Sequence, residues 1–166
     1  MTRRDYILTA ALLCSLFIYV FYRTDKTVVN ELVIFLTSAE FYLKLKESIT
    51  SSLPLNNIII YSLPEALWVL CITVTSKSFV IQFGPARITG AIVPMFYCIG
   101  LEICQLIGLT RGTFDPMDIV LSALFWLVGV IGFEEVGEVQ NIFGRVSRRT
   151  MVCFASYGIV YLAHVT

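Results

Sequence analysis

Glu102 and Gln105 stand three residues apart inside an otherwise apolar stretch, so on a helix they share one face. Shortly after them comes Arg111-Gly112-Thr113-Phe114-Asp115-Pro116-Met117-Asp118, directly ahead of another apolar run. Carboxylates grouped with an amide and a guanidinium suit three chemistries: holding a cation, moving a proton, or gripping a phosphate through the arginine. Asp115 fits a helix N-cap, Pro116 the first helical position, and both Asp115 and Asp118 oppose the positive end of the helix dipole. Capping accounts for Asp115 more fully than for Asp118, because Glu or Gln is the usual partner three residues after a cap. Ser122, one turn beyond Asp118, continues its polar face. Ser62-Leu63-Pro64-Glu65 has the form of a capping box, and capping is the favoured reading of Glu65. Trp68 falls one turn inside that helix, where an interfacial aromatic belongs.

The background of these residues decides what they mean. The 166-residue chain is 57% hydrophobic and 14% charged, with a mean hydropathy of +0.81. An ordinary soluble chain is about 25% charged. So much apolar surface fits lipid better than a soluble core, and the fold class expected is all-α: an integral membrane bundle of about five transmembrane helices, in one domain covering 1–166. A zero formal net charge argues against nucleic acid as a partner. The five cysteines lie in apolar runs without zinc-like pairing, and are read as free thiols packing as small hydrophobes.

The expected spans are Tyr6–Tyr22, Ser62–Phe83, Thr89–Leu109, Pro116–Phe133 and a short fifth, Met151–Val165. Breaks fall at Gly84-Pro85, Arg111-Gly112 and the polar run Glu134–Thr150. The first span resembles a signal peptide but lacks an A-x-A pattern before Arg23, and is read as an uncleaved helix. Lys77, near the end of the second, is expected to snorkel to the headgroups. Between the first two spans, Ser38 is expected to cap an outer interfacial helix through Ala39–Ile49, with Phe41, Leu45 and Ile49 on one stripe. A re-entrant segment through Val28–Leu36 is too short to span. Gly100, Cys104 and Gly108 form a small-residue stripe suited to close helix contact, within one chain or between copies.

Arg3, Arg4, Lys77, Arg87, Arg145, Arg148 and Arg149 fall on one side of this arrangement, and Arg111 alone occupies the short outer loop. The positive-inside bias therefore puts the N-terminus in the cytoplasm. Glu102 lies about 10 Å below the outer end of its helix, at 1.5 Å per residue, which is deep for an ordinary surface carboxylate. An acid at the centre of a membrane helix costs ~2.5–3.5 kcal/mol on insertion scales, so its presence asks for a reason. If the helix ends meet one leaflet, Glu65, Glu102, Asp115 and Asp118 converge near Arg111. Such a cluster binds a cation, holds protons or grips a basic group.

The pattern Glu102-x-x-Gln105, then Arg111-Gly-Thr-Phe-Asp115-x-x-Asp118, resembles the VanZ-like family, which carries Glu and Gln on one helix and Arg, Asp and Asp entering the next. Leu63-Pro64-Glu65-Ala66-Leu67-Trp68 is similar to a helix start in some of its relatives, usually with Asp at the Glu65 position. The resemblance covers roughly Tyr61–Gly132. It departs at Ser122, where the family often has Asn, at Phe125, where it often has Gly, and in the fifth span, since four are common. The resemblance implies a multi-pass protein of the bacterial inner membrane, in a family named for a member linked to glycopeptide resistance of the teicoplanin type.

Three functions compete at this level. The first is a non-enzymatic envelope protein that binds a lipid or lipid-linked cell-wall precursor headgroup. There Arg111 contacts phosphate, Trp68 and Phe114 sit at headgroup level, and Glu102, Asp115 and Asp118 hold a bridging Mg²⁺ or Ca²⁺. Glu65, Gln105 and Ser122 complete that ligand-binding set. The second is an intramembrane lipid-phosphate enzyme with Asp118 or Glu102 as general base; no serine–histidine or cysteine–histidine pair accompanies it, and the lone His164 is far away in sequence. The third is a transporter or channel component, acting as a homo-oligomer or with another membrane protein.

Overall fold

A computed structural model describes residues 3–23, 28–83, 85–109, 113–134, 140–142 and 147–164. The fold is all-α with a small sheet. Helix α1 (Arg3–Tyr22) is followed by α2 (Val28–Thr37), α3 (Ala39–Ser52), α4 (Asn57–Tyr61) and α5 (Leu63–Ser76). Strands β1 (Phe79–Phe83) and β2 (Ala86–Thr89) precede α6 (Val93–Leu106), α7 (Pro116–Ile131), β3 (Gln140–Asn141) and α8 (Arg148–His164). Helix α5 is the central post. It packs on α1, α6, α7 and α8, and its Ile72 and Trp68 join Tyr19 of α1 in the buried core.

The local signals explain most of these starts and stops. Ser38 caps α3, accepting from the Phe41 amide at 3.4 Å, and Asn56 caps α4, accepting from the Ile59 amide at 3.0 Å. Asp115 caps α7 as its sequence implies, its Oδ1 accepting from the Met117 amide at 2.9 Å. Ser62 behaves differently. It sits between α4 and α5 at φ −97° and ψ −35°, and its hydroxyl makes no cap bond. The Ser62 amide donates to Ile58 O, and Ser62 O accepts from the Ala66 amide, so the two helices run almost continuously. The capping box expected at Ser62–Glu65 does not form, because the preceding helical turn already supplies the partners such a cap would give.

Two other expectations are corrected. The second span does not continue helically to Phe83. It stops at Ser76, and Phe79–Phe83 pairs antiparallel with Ala86–Thr89, Phe83 opposite Ala86, while β3 adds in parallel on the other side of β1. An apolar run rich in β-branched and aromatic residues fits a strand as well as a helix, and the Gly84-Pro85 break favours a return. Lys77 does not reach outward either. Its ammonium donates to the carbonyls of Val130 (2.6 Å) and Phe133, closing the C-terminal end of α7, where a positive charge also opposes the helix dipole.

The small-residue stripe on α6 also resolves differently. Gly108 has φ +72°, the Leu109 amide donates to Cys104 O at 2.8 Å, and the Gly108 amide donates to Gln105 O at 3.0 Å. Gly108 thus ends the helix, and among the described residues of the chain no neighbour lies within 4 Å of the position a Cβ would take on Gly100 or Gly108. Close helix contact is found instead at Gly129 of α7, where an added Cβ would stand 3.0 Å from Thr73 Cγ2 of α5.

Among the described residues one helix, α1, is long and apolar enough to cross a membrane by length and composition; Leu63–Ser76, Gly90–Leu106 and Pro116–Ile131 are shorter apolar helices. Buried polar side chains sit within the apolar core, and many large apolar ones lie on the outside. Ser15, Glu65, Thr73, Ser76, Glu102 and Ser122 are buried, while Leu13, Phe96, Leu106, Val120, Leu124 and Ile131 face outward. On α3 the buried residue is Tyr42, whose hydroxyl donates to Val20 O at 2.6 Å; Phe41 and Leu45 of the expected stripe are exposed.

Candidate functional site

The helices alternate in direction, and that alternation builds the site. Glu65 is in the first turn of α5, Asp118 in the first turn of α7, and Glu102 near the end of α6. The start of two antiparallel helices and the end of the one between them lie at the same end of the bundle. There one carboxylate oxygen from each of Glu65, Glu102 and Asp118 lies within 4.8 Å of the other two. Glu65 is 8% exposed and Glu102 has no exposed surface at all.

Each acid is held by its own set of neighbours. Glu65 Oε1 accepts from the Cys98 thiol at 3.5 Å. Glu102 Oε2 accepts from the Asp115 amide at 3.2 Å, so α6 and the start of α7 are tied together through the acid itself. With its amide turned so that the NH₂ group faces acceptors, Gln105 donates to Glu102 Oε1 at 3.3 Å and to Thr113 O at 3.2 Å. The Glu102–Gln105 pair thus acts as the shared helical face implies. Ser122 lies one turn beyond Asp118, is fully buried, and stands beside the Cys98 thiol; its hydroxyl makes no hydrogen bond.

Two expected residues take other roles. Asp115 does not join the carboxylates; it is spent on the helix cap and on its own amide's bond to Glu102. The carboxylates that meet are therefore Glu65, Glu102 and Asp118, not the expected Glu102, Asp115 and Asp118. Trp68 is not at an interface. It is 3% exposed and stacks on Tyr19 with ring centroids 4.6 Å apart, forming the floor of the core. Phe114 is 37% exposed beside the cap. Arg111 lies outside the described residues.

Sequence reasoning missed three neighbours of the centre. Arg23, just past α1, donates to Tyr61 O at 2.6 Å and lies over the rings of Tyr19 (4.7 Å) and Tyr61 (5.6 Å). Its charge acts on Glu65. Tyr19 is close enough to interact electrostatically with Glu65, Asp118 and Tyr97. Cys98 was readable only as a small hydrophobe, although its place one turn before Glu102 on α6 puts it on the same face.

The chemistry available is that of clustered oxygen donors. Three carboxylates so close cannot all remain ionised without a proton or a cation among them, since like charges at this spacing repel by several kcal/mol even in a partly polarisable interior. Comparison of the chain with known protein families, with curated proteins and with solved structures returned no match.

Proposed function

We propose that the chain is a multi-pass protein of a bacterial cytoplasmic membrane, N-terminus inside, that binds the polar headgroup of a lipid or lipid-linked cell-wall precursor at the carboxylate end of its bundle. The apolar outer surface supports the membrane part. Leu, Phe and Val face outward over α1, α6 and α7 while serines, threonines and acids are interior, which suits hydrocarbon surroundings. Length supports it as well. Asn57–Ser76 runs as α4 and α5 with only Ser62 between them, a stretch of about 30 Å at 1.5 Å per residue. Helix α8 packs on the same bundle: its Cys153 and Tyr157 meet Ser76 near one end of α5, and Tyr157 also meets Tyr97 of α6.

The observation that carries the binding reading is the meeting of three carboxylates from three helices at one end of the bundle. Arg23 lies beside them on two tyrosine rings, a cation suited to contact a phosphate in addition to the role expected of Arg111. The VanZ-like resemblance rests on the same stretch of chain and accords with an envelope function, glycopeptide resistance included.

Mass spectrometry of lipids that co-purify with the full-length protein tests this. Selective enrichment of one anionic lipid or lipid-linked species, lost in Arg23→Ala, is the expected result. Bulk lipid composition in both proteins would sink the reading.

A further inference from the structure

We propose that Glu65, Glu102 and Asp118, with the Ser122 hydroxyl as a neutral donor, form a binding site for a hard divalent cation of the Ca²⁺ or Mn²⁺ class. This deepens the headgroup reading above and rests on it for its biological sense, since a cation there bridges protein carboxylates to a phosphate.

Geometry carries the first part of the case. Ca²⁺ takes oxygen ligands at about 2.3–2.6 Å, so three ligands spread evenly around one ion stand about 4.0–4.5 Å apart. The three carboxylate oxygens already lie within 4.8 Å of one another. Small side-chain rotations are enough to bring them onto an ion of that size. Mg²⁺, at about 2.0–2.1 Å, would draw the three to roughly 3.6 Å.

Ser122 carries the second part independently of the acids. Its side chain has no exposed surface and its hydroxyl has no hydrogen-bond partner. A buried hydroxyl without a hydrogen bond has lost its water and gained nothing in return, so such a group asks for a ligand. Ser122 is one turn along α7 from Asp118 and beside Cys98, whose thiol is 3.5 Å from Glu65 Oε1. That places it at the edge of the cluster, where a bound ion or an ion's water accepts or donates the missing bond.

Burial and donor type narrow the occupant. Glu102 and Ser122 are both fully covered, and the three oxygens stand closer together than an organic ammonium needs. The donors are carboxylate and hydroxyl oxygens, a hard set that favours Ca²⁺, Mn²⁺ or Mg²⁺ over zinc. Cys98 donates its thiol hydrogen to Glu65 and so serves to orient a ligand, as partners around a metal site do.

The test uses full-length protein in detergent and Mn²⁺ alone as the probe, followed by the loss of its free electron paramagnetic resonance signal. One saturable site is expected, displaced by Ca²⁺ more readily than by Mg²⁺. Ser122→Ala should weaken it about 10-fold and Glu102→Gln about 100-fold, whereas the exposed Glu47→Gln should retain it. Circular dichroism and size-exclusion profiles establish that each variant is folded. If Glu102→Gln fails to fold, Ser122→Ala and Asp118→Asn decide the matter. Absence of binding up to about 1 mM, or binding unchanged in these variants, overturns the proposal. Lipid analysis of the same preparations with and without EDTA separates the two claims: selective lipid without Mn²⁺ binding overturns the cation site alone, and Mn²⁺ binding with bulk lipid only overturns the headgroup reading alone.

Discussion

The two ends of the α5–α7 pair handle buried polarity in opposite ways. At the sheet end the polar side chains of α5 and α7 that reach neighbouring elements have partners that explain them. Lys77 closes the last carbonyls of α7, the Trp126 indole donates to Ala91 O at 2.7 Å, and Ser76 shares a hydrogen bond with Tyr157 at 3.1 Å. At the carboxylate end three acids share one space and a buried hydroxyl has no hydrogen bond. The first arrangement is complete in itself and reads as architecture. The second is complete only with something added, and that contrast separates a structural polar group from a functional one.

Substitutions can break or sharpen the contrast. The largest effect is expected at the sheet end, where Lys77→Met removes a charged donor from two carbonyls and should cost ~2–3 kcal/mol in thermal unfolding of the detergent-solubilised protein. Similar or smaller in size and opposite in sign, Glu102→Gln in EDTA should raise stability by about 1–3 kcal/mol, because it removes a carboxyl that must otherwise repel its two neighbours or take up a proton. A loss of stability there would show that the acids are satisfied as they stand, and the two ends would no longer differ. Next comes Asp115→Ala, expected to cost about 1 kcal/mol through the lost cap. Ser62→Ala should cost less than Asp115→Ala, since Ser62 makes no cap bond; equal costs measured by the same unfolding assay would restore the capping box.

Much of this was legible in the residues and some was not. The cap at Asp115, the cap at Ser38 and the shared faces of Glu102 with Gln105 and Asp118 with Ser122 follow from spacing alone, because i to i+3 and i+4 neighbours meet on any helix. The convergence of Glu65 with them required only that consecutive helices alternate in direction. The hairpin at Phe79–Phe83 was hidden because a short apolar run has no period that separates strand from helix. Its alternation of Phe79, Ile81 and Phe83 ahead of Gly84-Pro85 was the available signal. Ser62–Glu65 misled for the reverse reason: a motif describes what a helix start can do, and here the chain is already helical when it arrives. Arg23 could not be found by spacing at all, since its partners Tyr61 and Glu65 lie some forty residues on and meet it only through packing.

The bond from the Asp115 amide to Glu102 has a consequence for how the protein is made. A helix carrying Glu102 alone enters hydrocarbon against a penalty of ~2.5–3.5 kcal/mol at mid-depth. That acid gains its backbone partner only when the start of α7 is in place. On the membrane reading, α6 and α7 therefore enter the bilayer as a paired hairpin, with the glycine-ended turn after α6 formed first and the acid covered as the second helix follows. An α6 severed from α7 during synthesis should stall at the membrane surface, whereas the intact pair should insert.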